Sequence, residues 1–302
     1  AEIVFTATDS GGLTATHTVS VNIVSAPVIN SIAADVELAK ADDALTFTAT
    51  ISEPVTVVGT PILTLDVGGQ EMTATYTGGT DTNTLTFTAT APAGDSAAVA
   101  VSAISLDGGS ITGNSSGQDF VTTATGQVVS SFLIDNSNPV FTSAAAASFA
   151  ENGSGGAYSA VATDATAVAY TLGGTDATLF NIDSVGAVTF KAAPDFEAPV
   201  DSGTDNVYDV TVTATDALGH FATQAVAITV TDVNEPPSLT SGATANLAEN
   251  GTGTVYAATA TDPDASTTLT YGLTGVDADL FTIAPSTGAV TFNAVPNYEA
   301  PA

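Results

Sequence analysis

Apolar and polar residues alternate one for one wherever the chain is regular. In residues 45–51, LTFTATI, the apolar Leu45, Phe47, Ala49 and Ile51 share one face of an extended chain and threonines fill the other. The same period of two runs through TLTFTAT (84–90), VYDVTVTATD (207–216) and AVAITVTD (225–232). Successive side chains of a strand point to opposite faces, so the pattern predicts half-buried antiparallel strands. Thr on the wet face with β-branched or aromatic residues on the dry one suits such a sheet. Turn clusters such as GGT (78–80) and LDGGS (106–110) separate the runs. Helical periodicity nowhere persists beyond about two turns. Short strands at roughly 10-residue spacing predict an all-β fold of tandem Greek-key β-sandwiches arranged as a rod.

Internal repetition sets the boundaries. FAENGSG (149–155) parallels LAENGTG (247–253), and AYTLGGTDATLFNI (169–182) parallels TYGLTGVDADLFTI (270–283). GAVTFKAAPDFEAP (186–199) parallels GAVTFNAVPNYEAP (288–301). The first copy continues through VYDVTVTATDALG (207–219) and ATQAVAITVTDV (222–233), whereas the second stops before these strands. Residues 2–24 align without a gap onto 209–231, with Asp9 on Asp216 and Val19, Val21 and Ile23 on Val226, Ile228 and Val230. The expected division is therefore four parts. Residues 1–26 are the last two strands of a repeat, 27–137 a different sandwich, 138–236 a complete repeat and 237–302 the first part of another. The chain opens directly on strand sequence with no basic-plus-apolar leader, as a cut through a longer array would.

Composition sharpens this picture in one respect. The 302 residues are 44% hydrophobic but only 7% aromatic, enough for thin cores of Val, Ile, Leu and Ala. Against 32 Asp and Glu stand two Lys and no Arg, a formal net charge of -30. Such a surface repels phosphate backbones and anionic membranes, so nucleic acid and membrane insertion are excluded as partners of this segment. Hydrophobicity this periodic also argues against a disordered acidic tail. The remaining explanations are solubility in saline surroundings, mutual repulsion of chains, or neutralisation by bound cations. Without Cys there are no disulfides and no thiolate metal sites, so bound calcium is one source of rigidity.

Residues 139–302 together with 1–24 resemble the cadherin-like repeats of large bacterial surface proteins. The carriers are AEN, ATDPD, PDFEAP, TATDALG and DVNEPP, in that order within about 100 residues. Residues 27–137 resemble a bacterial immunoglobulin-like adhesin repeat, through TFTATISEPVTVVGTPILTLDVGGQEMTATY (46–76), LTFTATA (85–91) and IDNSNPV (134–140). The resemblance implies an extracellular, cell-surface segment with Ca²⁺ between repeats.

The acids sit where such ions need them. Ca²⁺ takes six to eight oxygen ligands, which a sandwich can gather only at its ends. Glu151, Asp195 with Glu197, and the run Asp232 to Glu235 all fall at strand ends or turns. In the cadherin pattern, as the resemblance implies, Glu151, Asp195, Glu197 and Glu235 chelate the ions nearest the first repeat, and Asp264 bridges from the next. Asn234, Asp262 and the carbonyl of Pro236 hold the outermost ion, whose missing carboxylate has Asp9 as its counterpart in the N-terminal tail. Asp232 takes a supporting role. At the preceding junction Asp135, Asn136, Asn138, Asp164 and Asp216 can hold one ion, although Thr166 replaces the second Asp of DPD and no glutamate comes from the preceding sandwich. The tail's own linker, NIVSAP (22–27), has no acid. Each of these residues taken singly is equally a turn former; their ordered recurrence in two copies favours calcium.

Catalysis is not expected. His17 and His220 lack a partner motif, no GxSxG elbow occurs, and the paired carboxylates are accounted for by calcium. The function expected is structural and adhesive, in a calcium-stiffened tandem-repeat protein of the cell surface, a biofilm or an extracellular fibre. Its partners are neighbouring repeats and a cell-surface or glycan target. Two alternatives remain. Identical subunits assemble head to tail by completing each other's split repeat, or the chain is a polysaccharide-binding module, which calls for an aromatic platform that a Trp-free sequence does not display. Sequons at Asn114, Asn152 and Asn250 are acceptors if the producing cell glycosylates its surface proteins.

Overall fold

A computed structural model of the chain describes residues 1–96, 99–122, 129 and 132–299. The last three residues of the partial repeat, 300–302, lie outside them. The described chain is all-β, and its only helical turns are the short 3₁₀ segments Ala177–Leu179 and Ala278–Leu280. It packs as two compact units.

The first unit takes in residues 1–140, 162–169 and 214–222. Its N-terminal hairpin pairs Glu2–Thr8 with Thr14–Ser20, Ile3 facing Val19 and Phe5 facing His17. Every residue of both strands is exposed. A seven-stranded sheet follows, in which the 15-residue strand Ala44–Val58 pairs with three others. The alternation seen in its sequence is its burial pattern, for Leu45, Phe47, Ala49 and Ile51 all point into the core. Its ladder with Thr82–Thr90 breaks between Thr50 and Val55, where Pro54 cannot donate. Beyond the break the strand takes Ser110–Gly113 as partner. Leu63, Leu65, Leu85, Phe87, Ile111 and Ile134 complete the core.

The second unit comprises residues 141–161, 170–213 and 223–302. Two sheets enclose its main core. One runs in the order Ala146–Ala150, Phe221–Thr231, Val207–Thr215, Ala169–Gly173; the other is Gly156–Ser159, Ala187–Phe190, Phe180–Ile182. Tyr208, Val210, Val212, Val226, Ile228 and Val230 face Tyr158, Phe180 and Val188 across the gap. Phe190 lies tilted against Phe180 at 4.3 Å and meets Tyr208 edge-on at 5.1 Å between ring centroids.

Residues 254–292 reproduce the smaller sheet pair for pair. Phe281 faces Phe292 and Ile283 faces Val290, as Phe180 faces Phe190 and Ile182 faces Val188. Even the irregularity recurs, at Gly156/Tyr158 and at Thr254/Tyr256. The glycine that opens each GAVTF run has a physical reason. A Cβ on Gly186 or Gly288 would stand 2.4 or 2.2 Å from the carbonyl oxygen of Ala160 or Ala258, and both φ angles are positive. Beside this second copy of the smaller sheet lies a groove of about 850 Å³, lined by Leu247, Tyr256, Leu273, Phe281, Phe292 and Tyr298 among others.

Candidate metal centres

In the second unit the site begins with one glutamate. Ala146–Ala150 runs parallel to the end of Phe221–Thr231, and the Glu151 N–H continues the ladder onto the Thr231 carbonyl at 3.0 Å. That register holds Glu151 where the next strand stops. The residue is only 2% exposed. One oxygen accepts the Phe196 N–H and the other the Val233 N–H, each at 2.8 Å. Glu151 thus ties the PDFE loop and the linker to one pole. Within the loop, Asp195 caps its own turn, Oδ1 accepting the N–H groups of Glu197 and Ala198 at 3.0 Å.

Around this anchor the carboxylates converge in two overlapping groups. Oxygens of Glu151, Asp195 and Glu197 lie within 4.8 Å of one another, and so do oxygens of Glu197, Asp232 and Asp264. Glu197 belongs to both. Asp264 is held by accepting the Glu235 N–H at 2.9 Å, while its own N–H goes to Asp262 Oδ1 at 3.0 Å. Glu235 Oε1 accepts the Asn152 amide, and its buried Oε2 has no hydrogen-bond partner. Burial pushes the Glu197 carboxyl up, helped by Glu151, Glu235 and Asp232. Asp232 is raised by burial and by Asp264, and Glu235 by burial and by Glu151.

A second cluster lies in the first unit. Asp135, Asp164 and Asp216 bring oxygens within 4.8 Å of one another. Asp135 is fully buried and Asp216 is 7% exposed. Burial raises Asp135, and Asp164 and Asp216 raise it further. Burial also acts upward on Asp216, but hydrogen bonds from the His220 ring and from the His220 and Leu218 N–H groups outweigh it and hold the carboxyl below its usual range. The Asp216–His220 contact, 2.8 Å, is the one close approach of an acid to a basic side chain among the described residues.

The remaining expected residues stand as follows. Asn136 turns its carboxamide toward the 27–137 sandwich, accepting the Ala41 N–H at 2.6 Å and donating to the carbonyls of Pro92 and Gly94. Asn234 donates to the Glu235 carbonyl at 3.0 Å, next to Pro236, whose carbonyl is its one possible ligand atom. Asp262 supports Asp264. Asp9 closes the hairpin turn, accepting the N–H groups of Gly11 and Leu13 at 2.9 Å, and joins neither cluster. Two acids gain weight from the geometry. Asp232, given only a supporting role by sequence, joins the Glu197 group. Asp95, carrying no signal in its loop APAGDS, receives the Asn136 N–H at 2.6 Å and the Ser137 hydroxyl.

The donor chemistry fits a hard divalent cation. Every candidate ligand is an oxygen, and no Lys or Arg pairs with either cluster among the described residues. Orphaned buried oxygens, on Glu235, Asp135 and Asp164, point to compensation from outside the chain. Ca²⁺ would supply that compensation, held beside Glu235 by Glu151, Asp195, Glu197, Asp232 and Asp264, and in the other cluster by Asp135, Asp164 and Asp216.

No protein-family model and no curated protein matches the sequence. Among solved structures, human protocadherin-24 EC1-2 is 19% identical over 55% of this chain and 82% of that one, with a TM-score of 0.42. Human CDH23 EC21-23 is 17% identical, covering 89% of this chain and 92% of that one, with a TM-score of 0.42. Drosophila N-cadherin EC1-4 is 18% identical over 97% and 74%, with a TM-score of 0.38.

Proposed function

We propose that this chain is a segment of an exported tandem-repeat protein of the cell surface, in which calcium stiffens the junctions between cadherin-like sandwiches and an adhesive or fibre-forming rod results. The division into 1–26, 27–137, 138–236 and 237–302 belongs to this reading. One observation carries it. Glu197 is shared by two carboxylate groups, one drawn from the complete repeat and the other closed by Asp264 from the repeat that follows. Five carboxylates so placed repel each other without a cation and become a cross-link with one. Binding to the folded state alone also raises stability by mass action. Small-angle X-ray scattering on the whole chain tests it, with calcium and then in excess chelator. A maximum dimension that shrinks and a profile that turns flexible in chelator are expected; an unchanged profile overturns the reading.

A second reading has an observation of its own. The exposed face of the N-terminal hairpin carries Ile3, Phe5 and Val19, at the positions where the complete repeat buries Val210, Val212 and Val226. The groove of the partial repeat lacks such a pair of strands. Strands of this type fill the groove, supplied covalently along an array or by a second copy of the chain, head to tail.

A further inference from the structure

Two matching turns join an asparagine to a glycine, Asn152 to Gly153 and Asn250 to Gly251, and every other asparagine of the chain is followed by a residue with a side chain. The fold calls for both residues. Asn152 and Asn250 stand at φ of 54° and 60°, in the left-handed region that asparagine tolerates better than most. A Cβ on Gly153 or Gly251 would lie 2.7 or 2.8 Å from the carbonyl oxygen of Ala150 or Ala248, so a side chain there would force the turn apart. Each turn thus sets an exposed carboxamide beside a main-chain nitrogen that no side chain shields.

Such a pair carries its own chemistry. The glycine nitrogen attacks the asparagine Cγ, an N–Cγ bond forms, and Nδ2 leaves as ammonia with the proton of the glycine N–H. Water then opens the five-membered succinimide at either carbonyl, leaving aspartate or its β-linked isomer. Water is the only co-reactant, and nothing is oxidised or reduced.

The closed turn holds this step back. The Gly153 N–H donates to the Ala150 carbonyl at 3.3 Å and the Gly251 N–H to the Ala248 carbonyl at 3.1 Å, and these bonds must break before the nitrogen can reach Cγ. The rate therefore follows how often each turn opens. In their main chains the two turns are alike, for the Asn152 N–H goes to the Pro194 carbonyl and the Asn250 N–H to that of Pro296, both at 2.9 Å. Their side chains differ. The Asn152 carboxamide donates to Glu235 Oε1, whereas that of Asn250 has no partner among the described residues.

We infer that Asn152 and Asn250 are sites of spontaneous deamidation, that Asn250 converts first, and that the hydrogen bond to Glu235 guards Asn152. Once Asn152 converts, the new carboxylate faces Glu235, and a donated hydrogen bond gives way to like-charge repulsion. The change is one-way, so the turns record the age of the chain.

The test is incubation of the whole chain in mildly alkaline buffer made with heavy-oxygen water, both turns being followed over time by peptide mapping and mass spectrometry. The folded chain is expected to convert Asn250 several-fold faster than Asn152. Chain held unfolded in guanidinium chloride is expected to convert the two alike, because both lie in the sequence Ala-Glu-Asn-Gly. Glu235→Ala, shown to be folded by circular dichroism, should bring Asn152 up toward the rate of Asn250. Asn250 left intact in the folded chain while it converts in guanidinium overturns the site. Equal rates in folded wild type, or an unchanged Asn152 rate in Glu235→Ala, overturn the guarding role. Should Glu235→Ala fail to fold, the wild-type comparison still decides both.

Discussion

At the scale of single residues, the acids of both clusters are poised against the fold. Asp135, Glu197, Asp232 and Glu235 all lie above the ordinary carboxylate range, each pushed there first by burial and then by neighbouring acids. A carboxyl raised by folding contributes stability that is fully present below its unfolded pKa and is lost as pH rises through its folded one. Chelator-treated protein is therefore expected to gain thermal stability as pH falls from neutrality toward about 5, as these groups take up protons. On the calcium reading, protein loaded with the ion gains none, because the bound ions would hold the carboxylates charged. Asp95 and Glu53, held low by Ser137 and Ser116, act oppositely and lower down, losing their contribution only as pH falls below the usual carboxylate range. Melting curves across pH in chelator check this; a midpoint falling throughout acidification would refute it.

At the scale of elements, the two copies of the small sheet offer an internal comparison. Phe180 is buried between Phe190 and Tyr208, whereas its counterpart Phe281 has Phe292 at 4.4 Å and the open groove on its other side. Phe180→Ala is expected to cost about 3–5 kcal/mol, the toll of a large cavity in a closed core. Phe281→Ala should cost about 1–2 kcal/mol, since water already reaches that ring. Urea denaturation followed by circular dichroism measures both, and equal costs would show that the groove is closed in solution. The strands themselves were legible in the sequence because threonine marks their wet face: the alternation at residues 45–51 is the burial seen there. The Glu197 cluster was largely legible too, since its acids lie in motifs that recur at strand ends. The cluster at Asp135 was less so. Whether the side chain at that linker position points inward depends on the Leu38–Ala39 pairing, made with a segment almost 100 residues earlier, and the fate of Asn136 depends on the carbonyls of Pro92 and Gly94. No local pattern encodes either.

At the scale of the whole molecule, the net charge of -30 meets no Lys–carboxylate ion pair among the described residues, so repulsion is relieved mainly from solution. That charge also opposes association of copies, which bears on the second reading. If the hairpin of one copy completes the groove of another, the whole chain will grow in mass with concentration in light scattering, more so at high salt where repulsion is screened. Phe5→Asp places a charge on the face that would enter the core and should return the protein to monomers. A mass independent of concentration at every salt level would leave only covalent completion.

The hydrogen bonds that clasp Asn136 and Ser137 to the preceding sandwich have a mechanical consequence. They involve one carboxylate, Asp95, whereas the N–H groups of Val233 and Glu235 are held by Glu151 and Asp264, members of a crowd of carboxylates that repel one another unless a cation lies between them. Two joints in one chain would thus answer their bath differently. On the calcium reading, the Asn136 and Ser137 bonds persist in chelating water while the linker at 232–236 slackens as calcium thins. A linker so built would register the mineral content of its surroundings as suppleness.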